Sequence, residues 1–144
     1  MQSHIDVAAE VLARIRDHAA ACYPHEAIGL LGAAHGQVCA AVPLANAAAM
    51  PQRGSRVRGD AMTAALAELA ARELDWIGVY HSHPDGSAQL SRNDVHRVTR
   101  SSVEMVISVG RAGPGALRAF YVTPVEQPRE LIVNAGGGGP WTSR

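Results

Sequence analysis

The sequence has no lysine. Its thirteen basic residues are all arginine and are matched by thirteen acidic ones, for a formal net charge of +0. No side-chain amine is available to form an isopeptide bond, and there is no bulk positive charge to draw the chain to nucleic acid. Aromatic residues are scarce, at 4%, with a single phenylalanine. The two cysteines, Cys22 and Cys39, form neither a disulfide framework nor a Cys-x-x-Cys site. Two free thiols suit a reducing compartment. The N-terminus shows no basic region followed by an apolar stretch, so a cytoplasmic location is expected. No apolar run approaches the roughly 18 residues needed to span a bilayer, which argues against a membrane protein.

What remains is an ordinary globular composition. The chain has 144 residues, 47% of them apolar and 18% charged, which suits one domain and excludes a disordered chain or a coiled coil. A domain of this size buries roughly 68% of its unfolded surface and holds a core without disulfides. The twenty-six alanines, with arginine in place of lysine, read as the coding bias of a GC-rich genome.

The spacing of Ile5, Ala8, Val11, Leu12, Ile15, Ala19 and Cys22 predicts one helix with a single apolar stripe, ended by Pro24. Ala27 to Gly32 reads as a buried strand, His35-Gly36 as a turn, and Gln37 to Leu44 as the partner strand of a hairpin. Residues 45–59 lack periodicity and carry Arg53, Arg56 and Arg58. They read as a loop whose charges are either merely solvated or used for binding. Asp60 is the expected N-cap of a second helix with Met62, Ala65, Leu66 and Leu69 inward. Trp76 to His83 follows as a strand and 84–90 as a loop, with Ser91 opening a short third helix. Val103–Val109 and Leu117–Thr123 are strands, and Leu131–Val133 is an edge strand. This order predicts an α/β domain over 1–135, a mixed sheet with helices packed against it, followed by a flexible Gly-rich tail, 136–144.

The informative stretch runs from His81 to Asp94. Two histidines two apart on a strand point to one face, and Pro84 stops the strand directly after them. Asp94 lies close enough for a short loop to return it. His81, His83 and Asp94 make a suitable donor set for a catalytic zinc with an open fourth position. Two surface histidines would look the same in isolation. Ser91 and Asp94 also fit a helix cap, a reading compatible with ligation. Metal-dependent hydrolysis needs a general base, and Glu26, between Pro24 and the buried run Ile28–Leu31, is the candidate by position. An ordinary loop glutamate is the alternative. A zinc nucleoside deaminase would need Pro-Cys-x-x-Cys, which neither Cys22 nor Cys39 supplies.

Glu26, His81-Ser82-His83-Pro84, and Ser91-x-x-Asp94, with seven residues between His83 and Ser91, together resemble the signature of the JAMM (MPN+) metalloproteases. Pro24-His25-Glu26 followed by Gly29-Leu30-Leu31-Gly32 is similar to the same family, and the likeness covers about residues 5–123. The resemblance implies an α/β fold around a curled mixed sheet. It implies zinc on His81, His83 and Asp94, Glu26 shuttling a proton from water to the leaving amine, and Ser91 donating a hydrogen bond to the oxyanion. The small bare domain is similar to family members that trim ubiquitin-like β-grasp sulfur-carrier proteins after a C-terminal Gly-Gly, releasing an amino acid or short peptide. In this reading the tail lies extended beside the 26–32 strand or the 45–59 loop. Removal of such modifiers from lysines, and a non-catalytic module that only holds a β-grasp partner, are the alternatives.

Overall fold

A computed structural model describes residues 3–96 and 98–136. Its elements, in chain order, are β1 (His4–Val7), α1 (Ala9–Cys22), β2 (Ile28–Ala34), β3 (Gln37–Leu44), α2 (Gly59–Ala71), β4 (Asp75–Pro84), α3 (Arg92–His96), β5 (Ser102–Gly110), β6 (Gly113–Val122) and β7 (Arg129–Ala135). The expected mixed sheet with helices against it is present. The sheet curls until it closes, in the order β1-β3-β2-β4-β5-β6-β7 and back to β1.

Alternation along the strands gives the sheet two apolar faces. Leu31, Tyr80, Met105 and Ile107 join Val11, Ile15 and Ala19 of α1 in the inner core. Leu30, Ala40, Val42 and Leu44 point the other way and take Ala65 and Leu69 of α2. Ala88, Val106, Phe120 and Val122 form a third cluster under the segment that follows β4. Among the described residues no helix is long and apolar enough to cross a membrane, and both cysteines are free.

The structure corrects the sequence expectations at several points. Residues 4–7 are not the start of α1. Ile5 and Val7 are buried, with His4 exposed and Asp6 half-buried between them, a two-residue period. β1 pairs in parallel with both β3 and β7. The expected edge strand at 131–133 therefore has no open edge, because β7 lies between β6 and β1. Asp60 is not the N-cap of α2. Arg58 holds that position, and the Asp60 carboxylate accepts from the adjacent Ala61 N–H and pairs with Arg58. The β5–β6 turn shrinks to Arg111 and Ala112. The tail expected from 136 falls outside the described residues beyond Gly136, whose N–H donates to the Val7 carbonyl at 3.1 Å.

The parallel pair β4–β5 sets the functional end of the molecule. Gly78 makes this pair possible, since a Cβ there would sit on the Val103 carbonyl. Gly78→Ala must push the two strands apart. It is expected to cost about 3 kcal/mol of stability, read as a lower midpoint in urea at unchanged slope.

Candidate metal centre and its cleft

The centre lies at the C-terminal end of β4, where a parallel sheet commonly presents its ligand site. Alternation places Tyr80 and Ser82 on the inner face and His81 and His83 on the outer one. His81 is 2% exposed, and its Nε2 is 3.0 Å from that of His83. Asp94 arrives from α3. The Ser91 Oγ accepts the Asp94 N–H at 3.1 Å while Asp94 Oδ2 accepts the Ser91 N–H at 2.7 Å, a reciprocal helix cap. The same Oδ2 stands 3.3 Å from both histidine Nε2 atoms. Capping and convergence are thus one arrangement.

The donor set fits a metal on its own chemistry. Four-coordinate zinc with bonds of roughly 2.0–2.1 Å spaces its donors by about 3.3 Å. The three separations here are 3.0, 3.3 and 3.3 Å. The His83 Nδ1 donates to the Ser87 carbonyl at 2.8 Å, which leaves the Nε2 of a neutral ring as a lone pair. That lone pair faces a carboxylate oxygen and a second imidazole nitrogen. A cation at the centre of this group would satisfy all three at once.

Glu26 reaches the same place from the other side of the fold. It is 8% exposed and lines one cleft of about 720 Å³ with His83, Ser91 and Asp94. Its backbone is fixed at both ends. The Glu26 N–H donates to the Pro51 carbonyl at 2.7 Å, and its own carbonyl accepts from Asn46 Nδ2 at 3.0 Å. Ser82, wholly buried behind the histidines, accepts the Ala27 N–H at 2.7 Å and donates its own N–H to the Ala27 carbonyl at 3.0 Å. All five residues singled out from the sequence therefore surround one site.

Three further residues shape it, two of which, Asn46 and Glu104, were not singled out from the sequence. Ser82 locks Glu26 to β4. Asn46 bonds both the Glu26 and Gly54 carbonyls and so folds the 46–56 wall of the cleft. Glu104 is a buried carboxylate on β5 behind His81. Its signal is the single charge inside the apolar run Val103 to Val106. The arginine cluster does not act as a unit: Arg53 lines the cleft, whereas Arg58 is paired with Asp60 and exposed. A substrate tail cannot add to the 28–34 part of the predicted strand, because β2 is hydrogen bonded on both edges, to β3 and β4. The 46–56 wall, by contrast, lines the cleft.

Burial pulls the His83 imidazole down, but the Asp94 carboxylate and the Ser87 carbonyl outweigh it, leaving His83 above its ordinary value. Burial pushes Asp94 up, and the facing histidines more than reverse this, holding it well below the usual carboxylate range.

Residues 8–122 match the family described as prokaryotic homologs of the JAB domain. A protein of Salinibacter ruber, solved in solution, is 33% identical with a TM-score of 0.67, covering 94% of this chain and 95% of that one. A JAB1/MPN domain protein of Archaeoglobus fulgidus is 17% identical with a TM-score of 0.59, covering 92% and 99%. A structure described as JAMM, a metalloprotease-like zinc site in the proteasome and signalosome, is 17% identical with a TM-score of 0.58, covering 91% and 98%. The latter two likenesses show the fold. No curated protein matches the sequence.

Because His83 keeps its proton to higher pH than an ordinary imidazole, a metal taking its Nε2 has to displace that proton. Zinc affinity, measured by chelator competition, should fall on acidification through the range where His83 takes up its proton, by about tenfold per pH unit for each proton displaced. Affinity independent of pH through that range would remove His83 from the ligand set.

Proposed function

Since the chain belongs to the prokaryotic homologs of the JAB domain, we propose that it is a zinc-dependent peptidase. It hydrolyses the bond after the C-terminal Gly-Gly of a ubiquitin-like β-grasp sulfur-carrier protein, releasing an amino acid or short peptide. The observation that carries the peptidase reading is the meeting of two Nε2 atoms and one carboxylate oxygen, 3.0–3.3 Å apart, in a cleft that Glu26 and Ser91 also line.

His81, His83 and Asp94 hold the ion. When bound it polarises the scissile carbonyl and lowers the pKa of water toward roughly 7. The chain's own residues do the rest. Glu26, kept in place by the Ala27–Ser82 bonds, takes the proton of the attacking water and delivers it to the departing amine nitrogen. Ser91 Oγ already accepts the Asp94 N–H, so its hydroxyl hydrogen is left to donate to the oxyanion of the tetrahedral intermediate. The buried Tyr80 and Ser82 side chains keep the opposite face of β4 rigid while this happens.

The carrier preference rests on the resemblance in sequence. A Gly-Gly tail has no Cβ to collide with a metal-bearing floor, and its extended backbone can lie along the 46–56 wall. Arg53 adds positive charge at the rim for an acidic carrier surface, acting mainly on association rate.

Glu26→Gln is expected to keep zinc and fold while losing about 10²–10⁴-fold in turnover, because an amide does not take up the proton. Turnover near that of the wild type would remove Glu26 from the mechanism. The substrate is tested with one carrier ending in Gly-Gly–Cys or Gly-Ala–Cys, compared by kcat/KM. The alanine form should be rejected strongly; equal rates would indicate a general small-peptide metallopeptidase. Cleavage of a Gly-Gly–lysine isopeptide alone would favour removal of modifiers, and tight carrier binding without cleavage would make the chain a binding module.

A further inference from the structure

The two histidines of the centre are held from behind by different acceptors. His83 Nδ1 donates to a neutral carbonyl, that of Ser87, at 2.8 Å. His81 Nδ1 instead faces a carboxylate, with Glu104 Oε1 at 3.4 Å. Glu104 belongs to β5, and its Cα pairs with Val79, two residues before His81 on the same outer face of β4. It is 8% exposed and flanked by Val103 and Met105 in an otherwise apolar strand. A carboxylate in that setting is costly to bury, and a hydrophobic residue would be the cheaper choice for the strand. Its position suits one further task.

We propose that Glu104 is a positioning residue for the metal centre: it accepts the His81 Nδ1–H and so fixes the ring with its Nε2 lone pair toward the ion. This rests on the metal-centre reading given above. Closing the 3.4 Å gap to an ordinary hydrogen bond takes a ring shift of about half an ångström. A negatively charged acceptor also makes the imidazole a stronger donor than a carbonyl acceptor does. His81 is therefore the tighter of the two nitrogen ligands, and the parallel β4–β5 pairing is part of the centre and not only its scaffold.

The test uses the full chain carrying Glu104→Gln or Glu104→Ala. Zinc affinity is read by competition with a chromophoric chelator, and the His81 tautomer by nitrogen chemical shifts in zinc-free and zinc-loaded protein. Glu104→Gln, nearly isosteric, should bind zinc about tenfold more weakly and Glu104→Ala up to about 100-fold. The alanine variant should also gain Nε2-protonated His81 when zinc-free. A purely structural role would lower thermal stability while leaving the tautomer unchanged. Folded Glu104→Gln with affinity within about twofold of the wild type and an unchanged tautomer would overturn the inference alone. Failure of the wild type to take up zinc would overturn the metal-centre reading together with it.

Discussion

Strand β4 is hydrogen bonded on both sides, antiparallel to β2 and parallel to β5, and the rest of the site depends on its alternation. Tyr80 and Ser82 enter the inner core, so His81 and His83 must project outward together. The same pairing brings Ser82 to the backbone of Ala27, one residue past Glu26. A slip of one residue in this register would exchange the histidines for Tyr80 and Ser82 and release Glu26 from its anchor. Core packing and site geometry are thus set by a single choice of register. Gly29 and Gly78 protect it, the first by making room for the Tyr80 ring and the second by admitting the Val103 carbonyl.

The electrostatics of the centre follow from that geometry. Glu26, Asp94 and Glu104 are all buried, and two imidazoles lie among them. A buried carboxylate is costly unless a positive or hydrogen-bonding group faces it. Asp94 favours the charged His83 imidazole and the two histidines favour the ionised Asp94, so their shifts support each other across a 3.3 Å contact. A divalent cation meets the same demand with more charge and with geometry the donors already have. The helix cap contributes here as well. Ser91 Oγ is worth about 1 kcal/mol as the N-cap, and the reciprocal bond from the Ser91 N–H aims Asp94 Oδ2.

The wall formed by residues 46–56 is built differently from the floor. It has no strand or helix, and its shape comes from Asn46, whose amide and carbonyl bond the backbone at Glu26, Ala48, Gly54 and Arg56. Loops held by one polar side chain tolerate changes at their tips while keeping their ends fixed. Met50, 57% exposed, Gln52 and Arg53 are carried on this wall and meet solvent at the cleft. The floor of the cleft is thus fixed by strand pairing and its wall by the bonds of one side chain.

Short-range pattern in the sequence determined the β2–β3 hairpin, the α1 stripe from Val11 to Cys22, the His-x-His strand and the Ser91–Asp94 cap, because each is fixed by neighbours within a few residues. Strand alternation and capping act locally and also bring His81, His83, Ser91 and Asp94 together, whereas Glu26 joins them only through the pairing of Ala27 with Ser82. Tertiary structure decided what depends on partners far along the chain. Ile5 and Ala8 fit the helical stripe, yet Ile5 and Val7 alternate as a strand, and only the gap between β3 and β7 selects that pairing. Closure of the sheet likewise turned an expected edge into a paired strand and denied β2 to an incoming tail. Glu104 reads as one charge in an apolar run until β5 is set beside β4, which brings a residue 23 positions along the chain to the back of His81. Contacts of that separation are chosen by the packing of the whole sheet, where burial of both faces outweighs local preference.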